Sequence, residues 1–549
     1  MRAPCLSSKH GLVQDRRHIC NFDVEVGQLY RWADGENAGS LAYFQLLITS
    51  DTAEYQELIP ATGASRLRFL CQHPDLWVSR RDRDILDAHI AGMITTRIRG
   101  PATGWAFCQS GLHRLEGRTV FVAGNRVIGG AGMDAFHAPD IAQFQLRRST
   151  RPPKAITEEL LTRLDNNGSA VAIPVFAFGV LTALQSLVLE CGIPLTGVLY
   201  ISGPSGFGKT ETVKRFFALY DFAASGQPAL ITEAGSTMAG FRENLRLARD
   251  LPVVLDDLCL SSGRESQRKR LELGAQVIRE ASNKGAVRTR AGDHGAEPFT
   301  AAGVAITAEF KMHTISDVSR CIILPLEEPM QGGKPDDREV AAEALEAFLA
   351  WFVVHRDQEA DQLKRHYEEA CSQRRLDRLS LNLFCLRWAF DVFLRFALDV
   401  GAMDSNVLQH SISHFEHVLQ NMERYQQKLL ASLQKNIPKG TIVELLWSGL
   451  QQKVLPLVRK ARKLDSSHGL IRGNDLFLPP DLLLAFIHAQ EGYQGISSNK
   501  LGRELRAAGL LVLHANDRAN TIKMGKEGLR VYHICLDRLE KAAQGQSHI

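Results

Sequence analysis

Residues 203–210 read Gly203-Pro204-Ser205-Gly206-Phe207-Gly208-Lys209-Thr210. They stand between an apolar run, VLYISG (198–203), and an amphipathic one, KTETVKRFFALY (209–220). The order predicts strand, glycine-rich turn, helix, and the pattern is G-x-x-x-x-G-K-[ST]. Such a turn wraps a phosphate with backbone N–H groups. Its glycines allow close approach and positive φ, and the following helix aims its positive end at the same anion. Lys209 is placed to reach the outer phosphates, and the Thr210 hydroxyl to ligate Mg²⁺.

Forty residues on, PVVLDDL (252–258) predicts a second buried strand ending in Asp256 and Asp257. Carboxylates at the carboxyl end of a buried strand need a cation or a reaction to offset their desolvation. Asp256 is expected to hold Mg²⁺ and Asp257 to polarise an attacking water. GVAITAE (303–309) predicts another strand, whose Thr307 either senses a terminal phosphate, orients water, or is ordinary strand-end polarity. RCIILPL (320–326) predicts a further one. Arg320 at its start could enter a neighbouring subunit's site, or pair within the chain with an acid such as Asp317.

Strands separated by helices, such as ESQRKRLELGAQVIREASN (265–283), imply a parallel sheet covered on both faces over 156–330. Before it, LAYFQLLITS (41–50), GRTVFVAGNRVIGG (117–130) and AQFQLRR (142–148) suggest a small β-rich or α+β domain over 1–150. STRPPKA (149–155) is expected to be a linker, and Asp82-Arg83-Asp84 a solvated charge run. EEPMQGGKPDDRE (327–339) reads as a loop, and 340–435 show long helical periodicity, giving a helical domain over 331–436. Residues 437–549 begin with short helices and end in a hairpin.

Composition removes other classes. The 549 residues are 45% hydrophobic and 23% charged, ordinary for a globular protein with more than one core. A net charge of +4 implies no global polyelectrolyte partner, so nucleic-acid contacts must come from local basic patches. Ten scattered cysteines without a C-x-x-C pair argue against a zinc ribbon or a disulfide scaffold and fit a cytoplasmic setting. MRAPCLSSKHGLVQ lacks the apolar core of a signal peptide. Residues 166–189 carry no charge and are long enough to span a bilayer. Asn167, Pro174, Thr182 and Gln185 within them favour a buried helix against the sheet, and no membrane.

GPSGFGKT, PVVLDDL, AITAE and SDVSRCIILPL together resemble the AAA+ ATPase core of superfamily 3-type helicases from phages, plasmids and integrative elements. Gly104-Trp105 followed by FVAGNRVIGG (121–130) is similar to the preamble of a domain-of-unknown-function ATPase family from the same elements. The resemblance covers about 100–326. It implies ATP and Mg²⁺ as nucleotide and metal, and a ring-shaped homo-oligomer, a hexamer favoured. The chain departs from superfamily 3 in having Thr307 where Asn is usual, and it lacks a primase half. Many relatives also carry Glu where Asp257 stands.

Two regions could touch nucleic acid. In hexameric helicases of this type, a loop like 283–294 enters the central channel. Lys284, Arg288, Arg290 and His294 would there grip the backbone of single-stranded DNA, unless the segment is only a solvent-facing basic loop. Residues 439–549 hold sixteen Lys and Arg against ten Asp and Glu. SSNKLGRELRAAG (497–509) predicts a capped helix with Leu501 and Leu505 on one face and Lys500, Arg503 and Arg506 on the other. LLVLH (510–514), a polar turn ANDRAN (515–520), TIKM (521–524) and the strand LRVYHICL (529–536) follow, and helix then β-wing is the order of a winged helix. Its wing could place Arg518 and Lys523 on DNA, or the module could dock protein.

The resulting expectation is an α/β protein: a P-loop AAA+ ATPase core with a small β-rich N-terminal domain, a helical segment and a C-terminal winged helix. It would act in DNA replication of a mobile element as an ATP-hydrolysing helicase or translocase. The alternative is an ATPase switch that remodels or regulates a protein complex without unwinding DNA.

Overall fold

The computed structural model describes the chain except residues 1–9, 15–16, 35–37, 63–64, 99–103, 125, 131–134, 138–143, 222–230, 234–237, 260–263, 284–300, 313, 331, 374, 436–440, 459–465, 491–492, 494–495, 514–519, 525–527 and 544–549. The chain forms two compact units, Met1–Gln426 and Gln427–Ile549.

At the centre of the first unit is a five-stranded parallel sheet: β1 (Val198–Ser202), β2 (Ile231–Glu233), β3 (Pro252–Leu258), β4 (Gly303–Ala308) and β5 (Cys321–Pro325). The spatial order is β2-β3-β4-β1-β5, and all pairings are parallel. Every residue of β1 and β4 is buried. That requires cover on both faces and explains why these strands are apolar throughout rather than alternating.

Part of this cover is the uncharged stretch before β1. It forms the helices Ser169–Ala183 and Gln185–Glu190, and residues 172–183 are buried, in contact with β3 and β4. A Cβ at Gly303 would lie 1.9 Å from Thr182 Oγ1, so glycine at the start of β4 is what lets this helix come down onto the sheet. Among the described residues no helix is long and apolar enough to cross a membrane.

The stretch 149–155 is not a linker. Pro153 opens the helix Pro153–Asn166, where a missing N–H costs nothing. Arg151 donates to Glu343 (3.0 Å) and Glu159 (2.6 Å). Asp82 is likewise no solvated charge: it is buried before the helix Arg83–Arg97 and accepts from Arg17. The helix after the glycine-rich turn stops at Phe216, four residues early. Phe217 to Tyr220 are all buried, which a one-sided helix cannot provide, and Tyr220–Asp221 pairs with Gln145–Leu146 instead.

Residues before 150 form two main sheets. Phe22–Trp32, Leu41–Ser50 and Glu54–Pro60 are an antiparallel meander, with Gly104–Phe107 and Ala135–His137 added in parallel. Leu86, Ile90 and Ile94 of Arg83–Arg97 join its core. Gly111–Leu115, Arg118–Ala123 and Arg126–Ile128 make a separate sheet, in contact with the long helix Asp337–Gln373. Arg378–Asp399 and Ser405–Lys435 complete the helical region.

In the second unit, helices Ile442–Gln451, Pro480–His488, Ser498–Ala507 and Leu536–Ala543 accompany a five-stranded sheet. Its order is Leu457–Val458, Gly469–Arg472, Asp475–Leu478, Leu529–Cys535, Ile522–Met524. Before the hairpin, Leu511 makes an isolated bridge to Ile534. A further hairpin turns through Gly473 (φ 59°), where Arg472-Gly473-Asn474-Asp475 carries the turn residues for it.

Candidate active site

The turn 203–208 leaves β1 and enters the helix Lys209–Phe216. Gly208 has φ 86°, and a Cβ at Gly203 would sit 2.7 Å from the Leu326 carbonyl. Glycine is thus required once for conformation and once for close passage. Lys209 is nearly buried, and its Nζ donates to the carbonyls of Gly203 and Pro204, both at 2.8 Å. The lysine therefore lies over the turn it would serve. On the outer side Met330 closes on the turn: its N–H donates to the Phe207 carbonyl (3.1 Å), and its Sδ accepts from Thr212 Oγ1 (3.1 Å).

Strand order brings the acids to this turn. β4 lies between β1 and β3, so Thr307 stands between the glycine-rich turn and Asp256. Asp256 Oδ1 accepts from Thr210 Oγ1 at 2.8 Å and from Thr307 Oγ1 at 2.6 Å. Thr307 is fully buried, and its hydroxyl also accepts the Asp257 N–H at 2.9 Å. The register of β3 against β4 shifts between Leu255 and Leu258, and Asp257 takes φ 58°. A bulge thus turns Asp257 outward, exposed, while Asp256 stays half-buried. Reading PVVLDDL as a regular strand misses this bulge; two consecutive acids ending an apolar run are its one sequence signal.

A hydroxyl and a carboxylate oxygen 2.8 Å apart, beside an exposed second carboxylate, are a donor set suited to Mg²⁺, which takes few protein oxygens and keeps waters.

Arg320 lies on the turn before β5, half-buried. Its Nη1 donates to the Ser316 carbonyl (2.7 Å) and hydroxyl. The Asp317 carboxylate accepts the Thr314 hydroxyl at 2.7 Å.

A buried polar node missed at the sequence level lies behind the site. Asp250 (φ 55°) accepts from the Ser186 N–H and hydroxyl, both at 2.7 Å, and from the Leu112 N–H at 2.9 Å. Burial pushes its carboxyl up to about 6. Nearby, His113 is buried against Phe107, and desolvation, aided by Arg249, takes it down to about 4. Three sequence-distant segments (110–113, 186 and 250) meet here just before β3.

Of the proposed nucleic-acid contacts, Lys284, Arg288, Arg290, His294 and Arg518 lie outside the described residues. Lys500, Arg503 and Arg506 are exposed on Ser498–Ala507, whose Leu501 and Leu505 are buried. Lys500 stands 3.9 Å from Glu504. Lys523 is exposed and directly opposite Arg530 across the last hairpin.

No family model matches the sequence, and no curated protein matches it. Among solved structures, the chain is similar to one titled "SCCmec type IV Cch - active helicase", at 11% identity, 96% coverage of both chains and a TM-score of 0.54. A structure of inhibitor-bound JCV helicase matches 49% of this chain and 74% of its own, at 13% identity and a TM-score of 0.20. The first likeness is one of fold and runs the length of the chain.

Proposed function

We propose that the chain is an ATP-hydrolysing DNA helicase or translocase of a mobile element, with a P-loop AAA+ core working as a homo-oligomeric ring, a hexamer favoured. The observation that carries this reading is the convergence of the Thr210 and Thr307 hydroxyls on one carboxylate oxygen of Asp256 beside the 203–208 turn. The full-length likeness to a structure titled as an active helicase supports it.

In this reading Gly203 to Thr210 cradle the ATP phosphates with backbone N–H groups. Lys209 exchanges its two carbonyl partners for phosphate oxygens. Thr210 and Asp256 hold Mg²⁺, which when bound neutralises phosphate charge. Asp257, turned out by its bulge, polarises the attacking water, and Thr307 keeps both aspartates in place. Arg320 leaves Ser316 to stabilise transition-state charge in a neighbouring subunit's site. The functional division follows 1–150, 156–330, 331–436 and 437–549. Single-stranded DNA runs in the ring's channel against Lys284, Arg288, Arg290 and His294. The winged-helix unit 437–549 contacts DNA through Lys500, Arg503, Arg506, Arg518 and Lys523. The setting is cytoplasmic, without a membrane.

ATPase assays with and without single-stranded DNA test this. The expected result is stimulation by DNA that Lys209→Ala abolishes. ATP hydrolysis without stimulation, and without DNA binding at any salt, would replace the motor with an ATPase switch acting on a protein complex.

A further inference from the structure

The turn that carries Arg320 is held by a side chain from a distant helix. Gln426, in Ser405–Lys435, is 1% exposed. Its Nε2 donates to the carbonyls of Val318 and Cys321, both at 2.7 Å. Its Oε1 accepts the Ile323 N–H at 3.2 Å. Both N–H bonds and the oxygen of the amide are therefore used, and the two carbonyls bracket Arg320.

β5 is an edge strand of its sheet. Arg320's own carbonyl faces inward and accepts the Val198 N–H of β1 at 3.1 Å. Along a strand, backbone polar groups alternate sides, so Cys321 and Ile323 present theirs to the open edge. The Gln426 amide pairs with them as a peptide unit of a sixth strand would. Its remaining N–H reaches back to Val318, the last residue of the short helix Ile315–Val318. One side chain thus fixes both limbs of the turn that carries Arg320. Glutamate has no donor for the two carbonyls, and methionine of similar length makes none of the three bonds.

We propose that Gln426 is a positioning residue for Arg320: it sets the backbone from which that guanidinium reaches a neighbouring subunit's nucleotide, placing hydrolysis under the control of the helix Ser405–Lys435. This rests on the reading of Arg320 given above. The same helix runs on past Gln427 into the second unit, so the chain connection to that unit begins one residue from the amide that holds Arg320's turn.

The test is steady-state ATPase of full-length, oligomeric protein. Gln426→Met is expected to lower kcat about 100-fold, the scale of a 1 Å misplacement of a catalytic group, with KM for ATP within about twofold. Combined with Arg320→Ala it should cause no further loss. Mixing Gln426→Met with Lys209→Ala subunits should restore turnover, because the second supplies an intact Arg320 to the first's intact site. Gln426→Glu should regain rate as pH falls and its carboxyl gains a donor, whereas Gln426→Met should not. Unchanged kcat in folded, oligomeric Gln426→Met, a raised KM alone, or a further loss in the double variant would overturn the proposal. If Gln426→Met fails to assemble, Gln426→Asn, which keeps the amide but shortens its reach, is read by the same criteria. Full activity in Arg320→Ala, by contrast, removes the underlying reading of Arg320.

Discussion

Thr307 donates its hydroxyl to Asp256 at 2.6 Å while accepting the backbone N–H of Asp257. One β-branched side chain thereby orients a candidate metal ligand and closes the bulge that presents the next acid. Thr307→Val keeps shape and removes both bonds. Partners that orient metal ligands are typically worth about 10–100-fold in activity. Thr307→Val is expected to lower kcat by that amount, and Thr307→Ser to retain most of it, in a magnesium-dependent ATPase assay.

The glycines of the turn are not equivalent. A Cβ at Gly206 meets nothing within 4 Å, so only its φ of 80° opposes substitution. At Gly203 the Cβ would press to 2.7 Å on the Leu326 carbonyl, part of the backbone leaving β5. Gly206→Ala is expected to cost about 1–2 kcal/mol locally, the usual penalty for left-handed backbone, and to weaken ATP binding modestly. Gly203→Ala must move β1 from Leu326 and should abolish binding, as read by nucleotide titration.

Arg163 joins the helix before the sheet to the helical region after it. It is buried and donates to Asp336 and to Asp337 at 2.9 Å and to Glu159 at 2.6 Å; Asp337 itself is fully buried. The pairing with Asp336 leads in holding Arg163 protonated. Arg163→Met leaves Asp337 a buried, uncompensated charge, and such losses cost about 3–5 kcal/mol. A lowered thermal midpoint is the expected readout. The double change Arg163→Met with Asp337→Leu should recover part of it.

How legible these features were depends on how local their causes are. The turn 203–210 and the four strands ending in Ser202, Leu258, Ala308 and Pro325 follow from apolar runs and glycine spacing, which short-range sterics impose. The bulge at Asp257 is closed by Thr307, fifty residues away, and the paired acids ending the apolar run are its one local sign. Asp82 resembles surface charge and Arg151 a linker residue because their partners, Arg17 and Glu343, are distant in sequence. Pro152-Pro153 suggests a linker, although proline at a helix's first residue starts that helix. Gln426 sits among Glu, Arg, Gln and Lys on a polar-looking helix, and only the open edge of β5 gives it a role.

Asp250 and His113 make opposing contributions to stability between about pH 4 and 6. The folded-state pKa of Asp250, about 6, lies above its ordinary value, so the folded chain holds the proton more readily, and its contribution declines as pH rises. His113, lowered to about 4, is held neutral by the fold, so its contribution is present above its ordinary range and is lost as pH falls through 6.5 toward 4. The two largely cancel in the native chain. Asp250→Asn should unmask the histidine, giving a thermal midpoint that falls more steeply on acidification than that of the native protein.

The exposed bases of the second unit separate DNA contact from protein docking. Lys500, Arg503 and Arg506 share the polar face of Ser498–Ala507, and Lys523 stands opposite Arg530 on the hairpin. A Cβ at Gly502 would lie 2.8 Å from Asn520 Nδ2, so helix and hairpin approach are in contact. Opposed like charges destabilise a strand pair, and an anionic partner relieves that repulsion. For phosphate contacts to duplex DNA, log K falls with log salt by about 0.9 per contact. Replacing Arg503 or Lys523 with Ala should weaken binding about equally across sequences and flatten that slope by about one contact each. A salt dependence that neither substitution changes would assign this face to a protein partner, since neutralised phosphates cannot be lost without losing their share of the slope.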